Sequence, residues 1–142
     1  MNKKLKGYTQ DSLRARVAGA DPYQLVQMLM AGALDNLNYA KGAIERNDLE
    51  KKGQHISKAF NIIESLRAGL NQDIGGEVSN NLEQLYLYML DVLADASRSN
   101  DSEKISEVQG LLTQIKTSWD AIPISAREEA ESQMSNSNVV GA

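Results

Sequence analysis

The stretch Ile105-Ser-Glu-Val-Gln-Gly-Leu-Leu-Thr-Gln-Ile-Lys-Thr-Ser-Trp119 decides the fold, because its apolar residues Ile105, Val108, Leu112, Ile115 and Trp119 recur at steps of 3, 4, 3 and 4. That spacing stacks them along one narrow stripe of an α-helix, the seam a helical bundle buries. Ile122-Pro123 ends the run, since proline cannot donate to the ladder and biases its predecessor away from helix. Upstream, Ser97-Arg-Ser-Asn-Asp-Ser-Glu103 is a polar break in which Asn100 and Glu103 have the spacing of a capping box.

Three more segments repeat this grammar. Residues 21–46 open with Asp21 as N-cap, Pro22 at the first helical position and Gln24 placed to close a capping box. A core flank of Leu25, Val26, Leu29, Ala33, Leu37 and Ala40 is expected there. Asp48 caps a second helix with seam Ile56, Ala59, Phe60, Ile63, Leu66 and Leu70. Gly75 and Gly76 permit a reversal, and a third helix is expected from about Glu77, with Val78, Leu82, Leu85, Met89, Val92 and Ala96 inward. Four amphipathic segments joined by short polar loops pack most economically as an all-α, antiparallel, up-down-up-down four-helix bundle. The expected organisation is an N-terminal arm at 1–20, the bundle at 21–122 and a C-terminal tail at 123–142, short-helical over Arg127 to Met134 or disordered.

Composition agrees. Of 142 residues, 42% are hydrophobic but only 5% aromatic, so the apolar content is the Leu, Ala, Ile, Val and Met that helices favour. With no cysteine there is no disulfide framework or thiolate metal site, and a reducing compartment is permitted. No apolar run reaches the roughly 18 residues of a membrane span, so a soluble, unexported protein without membrane insertion is expected. Residues 1–20 carry a net +4 on a chain of net −4, from Lys3, Lys4, Lys6, Arg14 and Arg16 against Asp11. Five scattered cations with one aromatic on an acidic body rank nucleic acid last among partners.

The residues also argue against catalysis. His55 is the single histidine and lacks the Glu-x-x-His partner of a di-iron bundle; no cysteine, G-x-S-x-G turn, phosphate loop or EF-hand spacing is present. No catalytic residue, metal site or cofactor is expected, and His55 is read as a partly exposed polar residue beside the second seam.

What calls for explanation is surplus apolar surface. On the first helix apolar residues spread over roughly two thirds of the circumference. On the third, Leu87 lies about opposite the expected core and Leu90 about a third of a turn away. Centrality in the bundle or a homodimer face accounts for such a surplus; the sharper reading is a groove for an amphipathic helix from another protein, lined by Met30, Leu34, Ile62, Leu87 and Leu90. Tyr8, Leu13 and Val17 give the arm an apolar stripe able to cover that groove from within the chain.

Several blocks carry a resemblance: Tyr8 ahead of the arm, Ala-Asp-Pro-Tyr-Gln-Leu-Val-Gln-Met-Leu-Met-Ala-Gly-Ala-Leu at 20–34, the block at 58–90 containing Leu-Asn-Gln-Asp-Ile-Gly-Gly-Glu and Asn-Leu-Glu-Gln-Leu-Tyr-Leu-Tyr-Met, and residues 107–122. From about residue 8 to 123 the chain resembles the FliS family of flagellar secretion chaperones. The resemblance implies a bacterial cytoplasmic helical bundle that binds the C-terminal segment of flagellin, prevents its premature polymerisation and assists delivery to the type III flagellar export gate. It also implies a role for Tyr8 in packing the arm or contacting a partner. Where the family usually has Leu-Tyr/Phe-Asp-Gly, this chain has Leu29-Met30-Ala31-Gly32, which predicts a differently shaped pocket at that turn. The alternative is a self-associating structural bundle subunit that does not bind flagellin.

Overall fold

In a computed structural model, the described residues are 21–70, 72–129 and 132, with side chains described outside 71–75. They form four long helices: α1 Pro22–Glu45, α2 Leu49–Ala68, α3 Gln72–Ser99 and α4 Ser102–Asp120. No strand occurs among them. The described residues fall into two compact units, one being Met28–Ala121 and the other taking the described residues up to Gln27 and from Ile122 onward.

Within Met28–Ala121 the helices pack as an antiparallel bundle. α2 meets α1 where His55 Nδ1 lies 3.0 Å from Asn36 Oδ1 and where Ile62 approaches Gly32. The opposite flank of α2 meets α3, with Arg67 bridging to Glu83 at 3.3 Å near one end and Lys52 reaching Ser97 near the other. Both pairings run in opposite chain directions. Tyr88 on α3 donates to Glu107 on α4, and Lys41 on α1 donates to Gln109 on α4 at 3.3 Å, which closes the ring.

Both tight hairpins are built from the dipeptide Asn-Asp. Asn47 and Asn100 take positive φ, 58° and 54°, a left-handed conformation asparagine tolerates better than other side-chain-bearing residues. Behind each, the aspartate N–H reaches back to a helical carbonyl, Asp48 to Ala43 at 2.8 Å and Asp101 to Ala96 at 3.3 Å, the six-to-one bond of a Schellman motif. The same aspartates cap the next helix, Asp48 accepting from Lys51 N and Asp101 from Glu103 N. The N-cap expected at Asn100 is therefore displaced by one residue, to Asp101, which accepts from Glu103 N in place of the expected box: Asn100 ends α3 and Asp101 starts α4. The box at the start of α1 forms as expected, with Gln24 N donating to Asp21 Oδ1 at 2.7 Å and Asp21 N to Gln24 Oε1 at 3.4 Å. In α3 the reversal sits at Gly76, whose φ of 53° and ψ of −125° break the helical path as the paired glycines suggest.

The expected seams of α2 and α4 are buried at Ile56, Ala59, Ile63 and Leu66 and at Ile105, Val108 and Leu112. On α1 the buried stripe is Tyr23, Met30, Ala33, Leu37, Ala40 and Ala43, and Leu25, Val26 and Leu29 are only half-buried. The α3 seam departs most from expectation. Val78, placed inward by its spacing, is 67% exposed, and the buried residues are Ser79, Tyr86, Met89, Leu90, Leu93 and Ala96. α3 packs against both α2 and α4, so it buries a broad arc centred on Tyr86, whose ring fills more volume than the leucines beside it. Burial also pushes the Tyr86 phenol up to about 12.

Sequence reading did not single out Lys52, which is buried at 8% exposure. Its ammonium donates to the Ser97 carbonyl at 2.8 Å and to Asn100 Oδ1 at 2.6 Å, satisfying the C-terminal end of α3 from the first turn of α2. Replacing Lys52 by Ala leaves those acceptors without their donor. A loss of about 1.5–3 kcal/mol is expected from urea unfolding with an unchanged slope, whereas exposed Lys51→Ala should change stability by less than about 0.5 kcal/mol.

Candidate functional site: an apolar groove between α2 and α3

One flank of α2 and the facing flank of α3 leave an open groove of about 290 Å³ lined by Ile56, Ser57, Phe60, Asn61, Leu93, Ala94 and Ser97. Its inner side is closed by the core residues Ile56 and Leu93, 4% and 0% exposed. Small side chains at Ser57, Ala94 and Ser97 keep the walls low, and half-buried Phe60 stands at its edge. Leu87 lies two helical turns before Ala94, so it continues the same stripe of α3 and presents 39% of its surface. Beyond it the Glu64–Arg67–Glu83 ion-pair cluster bridges α2 and α3. Arg67 holds the Glu64 carboxyl below the usual carboxylate range by donating to it.

The structure separates the residues that sequence reading grouped into one groove. Leu87 is exposed on the α3 flank that faces α2. Leu90 shares the stripe that joins Glu83 to Ser97 but is 7% exposed, and Met30 is 1% exposed; both belong to the interior rather than to an open surface. The physical reason is breadth of burial, since α3 has two neighbours and Met30 falls on the Ala33–Leu37 stripe of α1. Ile62 is half-buried on the other flank of α2, against α1 at Gly32. Leu34 is half-buried on the side of α1 that also carries Lys41, which faces α4. Tyr8 lies outside the described residues. Phe60, Ala94 and Ser97 were missed as lining residues: Phe60 reads as seam because it follows Ala59, and small residues give no periodic signal.

His55, beside the α2 seam, is half-buried as expected. Asn36 donates its amide to the Gly32 carbonyl at 2.9 Å, which turns Oδ1 toward His55 and makes Nδ1 the protonated ring nitrogen. Burial first, then the charges of Lys58, Lys51 and Arg46, hold the imidazole below its ordinary value. Among the described residues no three His, Asp or Glu side chains gather as a metal site. Nor is any described helix long and apolar enough to cross a membrane.

In the other unit, Arg127 lies over the Tyr23 ring at 4.2 Å, and the Gln27 amide donates to the Tyr23 hydroxyl at 3.2 Å. Residues 124–129 are helical, beginning before the Arg127 start expected from sequence.

The described residues thus define an all-α bundle with an open, partly apolar groove between two of its helices. Residues 4–126 match the family model described as flagellar protein FliS, and the chain belongs to that family. It is similar to the flagellar secretion chaperone FliSB of Pseudomonas aeruginosa, 44% identical over 120 residues, covering 84% of this chain and 95% of that protein. It is also 44% identical to flagellar secretion chaperone FliS of Salmonella typhimurium over 119 residues, covering 83% and 88%. Flagellar secretion chaperone FliS of Bacillus subtilis is 36% identical over 112 residues, covering 79% and 80%. The family is one of export chaperones and not of enzymes.

The depressed pKa of His55 fixes a sign. Its folded form favours the neutral ring, so its contribution to stability is complete above about pH 6.5 and is lost as the pH falls from there through the lower folded value. His55→Gln should therefore unfold with a shallower loss of stability than the unmodified protein between about pH 7 and pH 5, measured by urea titration at each pH.

Proposed function

We propose that this protein is a cytoplasmic export chaperone that holds the C-terminal segment of flagellin against the α2–α3 face, keeps that segment from polymerising early and presents it to the type III flagellar export gate. The observation that carries the reading is the groove of Phe60, Leu93 and Ala94 continued by exposed Leu87, in a chain that belongs to the FliS family. An amphipathic helix laid along α2 and α3 would cover the surface that Phe60, Ala94 and Leu87 leave open, with Leu87 and Ala94 seven residues apart on one stripe, as helix-in-groove partners do. A segment that folds on binding spends ordering entropy, so a long apolar contact suits it better than a compact pocket. Masking by one-to-one binding uses no nucleotide and no cofactor. Ile62 and Leu34 extend the contact to neighbouring seams if the segment wraps the bundle, and Tyr8 acts from the arm.

Calorimetry with a peptide of about the last 40 residues of flagellin should give a one-to-one complex with a clearly negative heat-capacity change. Leu87→Asp should weaken it by at least about tenfold, roughly 1.4 kcal/mol, with stability altered by less than about 0.5 kcal/mol. An absence of binding overturns the proposal. A dilution-resistant dimer in light scattering, with Leu87→Asp dissociating it and no peptide bound, supports the self-associating subunit instead.

A further inference from the structure

The face of the α1–α2 hairpin carries a feature the groove does not use. Lys51, His55 and Lys58 follow one another on α2 at steps of four and three, so they form one stripe, and Arg46 stands at the turn beside it. Opposite, on α1, the Tyr39 ring is 58% exposed and packs at 5.1 Å from the His55 ring, tilted by 43°. Arg46, Lys51 and Lys58 are all exposed.

These cations differ from most of the described basic side chains. Arg67, Arg98 and Lys116 have carboxylate partners, Lys41 and Lys52 donate to neutral acceptors, and Arg127 lies over an aromatic ring. Among the described residues only Arg46, Lys51, Lys58 and Lys104 have no such partner, and three of these four surround His55. Keeping three like charges together costs repulsion, which a ligand of opposite charge would relieve. The chain carries a net charge of −4, and on this face the three cations outnumber the carboxylates that share their stripes, Asp48 at the N-cap of α2 and Asp35 on α1.

We infer that the Arg46–Lys51–His55–Lys58 face, with Tyr39 as its apolar edge, docks an acidic helix of a partner protein, one whose carboxylates share a single stripe. The spacing selects this occupant. Lys51 and Lys58 are two turns apart, about 10 Å along the axis, which equals the repeat of carboxylates seven residues apart on a facing helix, and His55 meets a carboxylate between them. A nucleic acid fits less well, because its phosphates continue past three cations onto the acidic remainder, and the one exposed ring here is already packed against His55. Arrival of a carboxylate beside His55 offsets the neighbouring lysines, so docking raises the imidazole pKa.

The test uses two amidated peptides of about 18 residues, identical in composition and alanine-based, one with its glutamates on a single helical stripe and one with them scattered round the helix. Fluorescence anisotropy on the full chain at about 50 mM salt should show saturable binding of the striped peptide, at least about fivefold weaker binding of the scattered one, and loss on raising salt to about 500 mM. The double variant Lys51→Glu/Lys58→Glu should abolish it, with circular dichroism confirming retained helicity. Lys104→Glu, the same side-chain reversal at one position on α4, and Leu87→Asp in the groove should leave it unchanged, which separates this face from flagellin binding. The His55 ring resonances should titrate at higher pH in the complex. Absence of saturable binding, equal affinity for both peptides, or insensitivity to the double variant overturns the inference, and so does tighter binding of an oligothymidylate of matched charge.

Discussion

A residue held at positive φ, followed directly by one that must cap a helix, is the constraint on which the bundle rests. At Asn47-Asp48 and Asn100-Asp101 the asparagine stops a helix in the left-handed conformation while the aspartate both accepts from the next helix's first turn and donates back to the last. Each reversal thus uses two residues to satisfy backbone groups that would otherwise be left at two helix ends. Such short reversals leave little freedom in how the paired helices face each other. The apolar stripes meet because the turns present them to one another.

Lys52 joins these local devices to the tertiary structure. It is a charged residue taken largely out of water, which is unfavourable unless its donors are matched. Its partners are the Ser97 carbonyl and the side chain of Asn100, the same asparagine that ends α3. The turn between α3 and α4 is therefore tied to the start of α2, and a bond of this kind fixes axial register in a way that sliding apolar stripes do not.

The bundle has two outer faces of contrasting character. Between α2 and α3 small residues lower the walls and leave Phe60, Ala94 and Leu87 partly open, which suits a ligand that contributes apolar area. Between α1 and α2 the surface is cationic around His55 and Tyr39. Buried area alone does not set affinity, and charge placement mainly governs encounter rate and discrimination among partners.

The sequence by itself determined the number of helices, most of their ends and the core stripes of α2 and α4, because caps, breakers and three-four spacing are local properties written in residue type. The chain's membership in an export-chaperone family was equally legible in blocks such as Leu70 to Glu77. Only the tertiary structure decided which side of α3 is buried, since Val78 and Tyr86 lie on stripes of similar apolarity and the choice depends on packing against two neighbours at once. For the same reason Met30 and Leu90, which a helical wheel places at the margin, lie inside, and Ser57, Ala94 and Ser97, which carry no periodic signal, line the groove. A wheel reports angle about one axis; burial depends on what stands across from it.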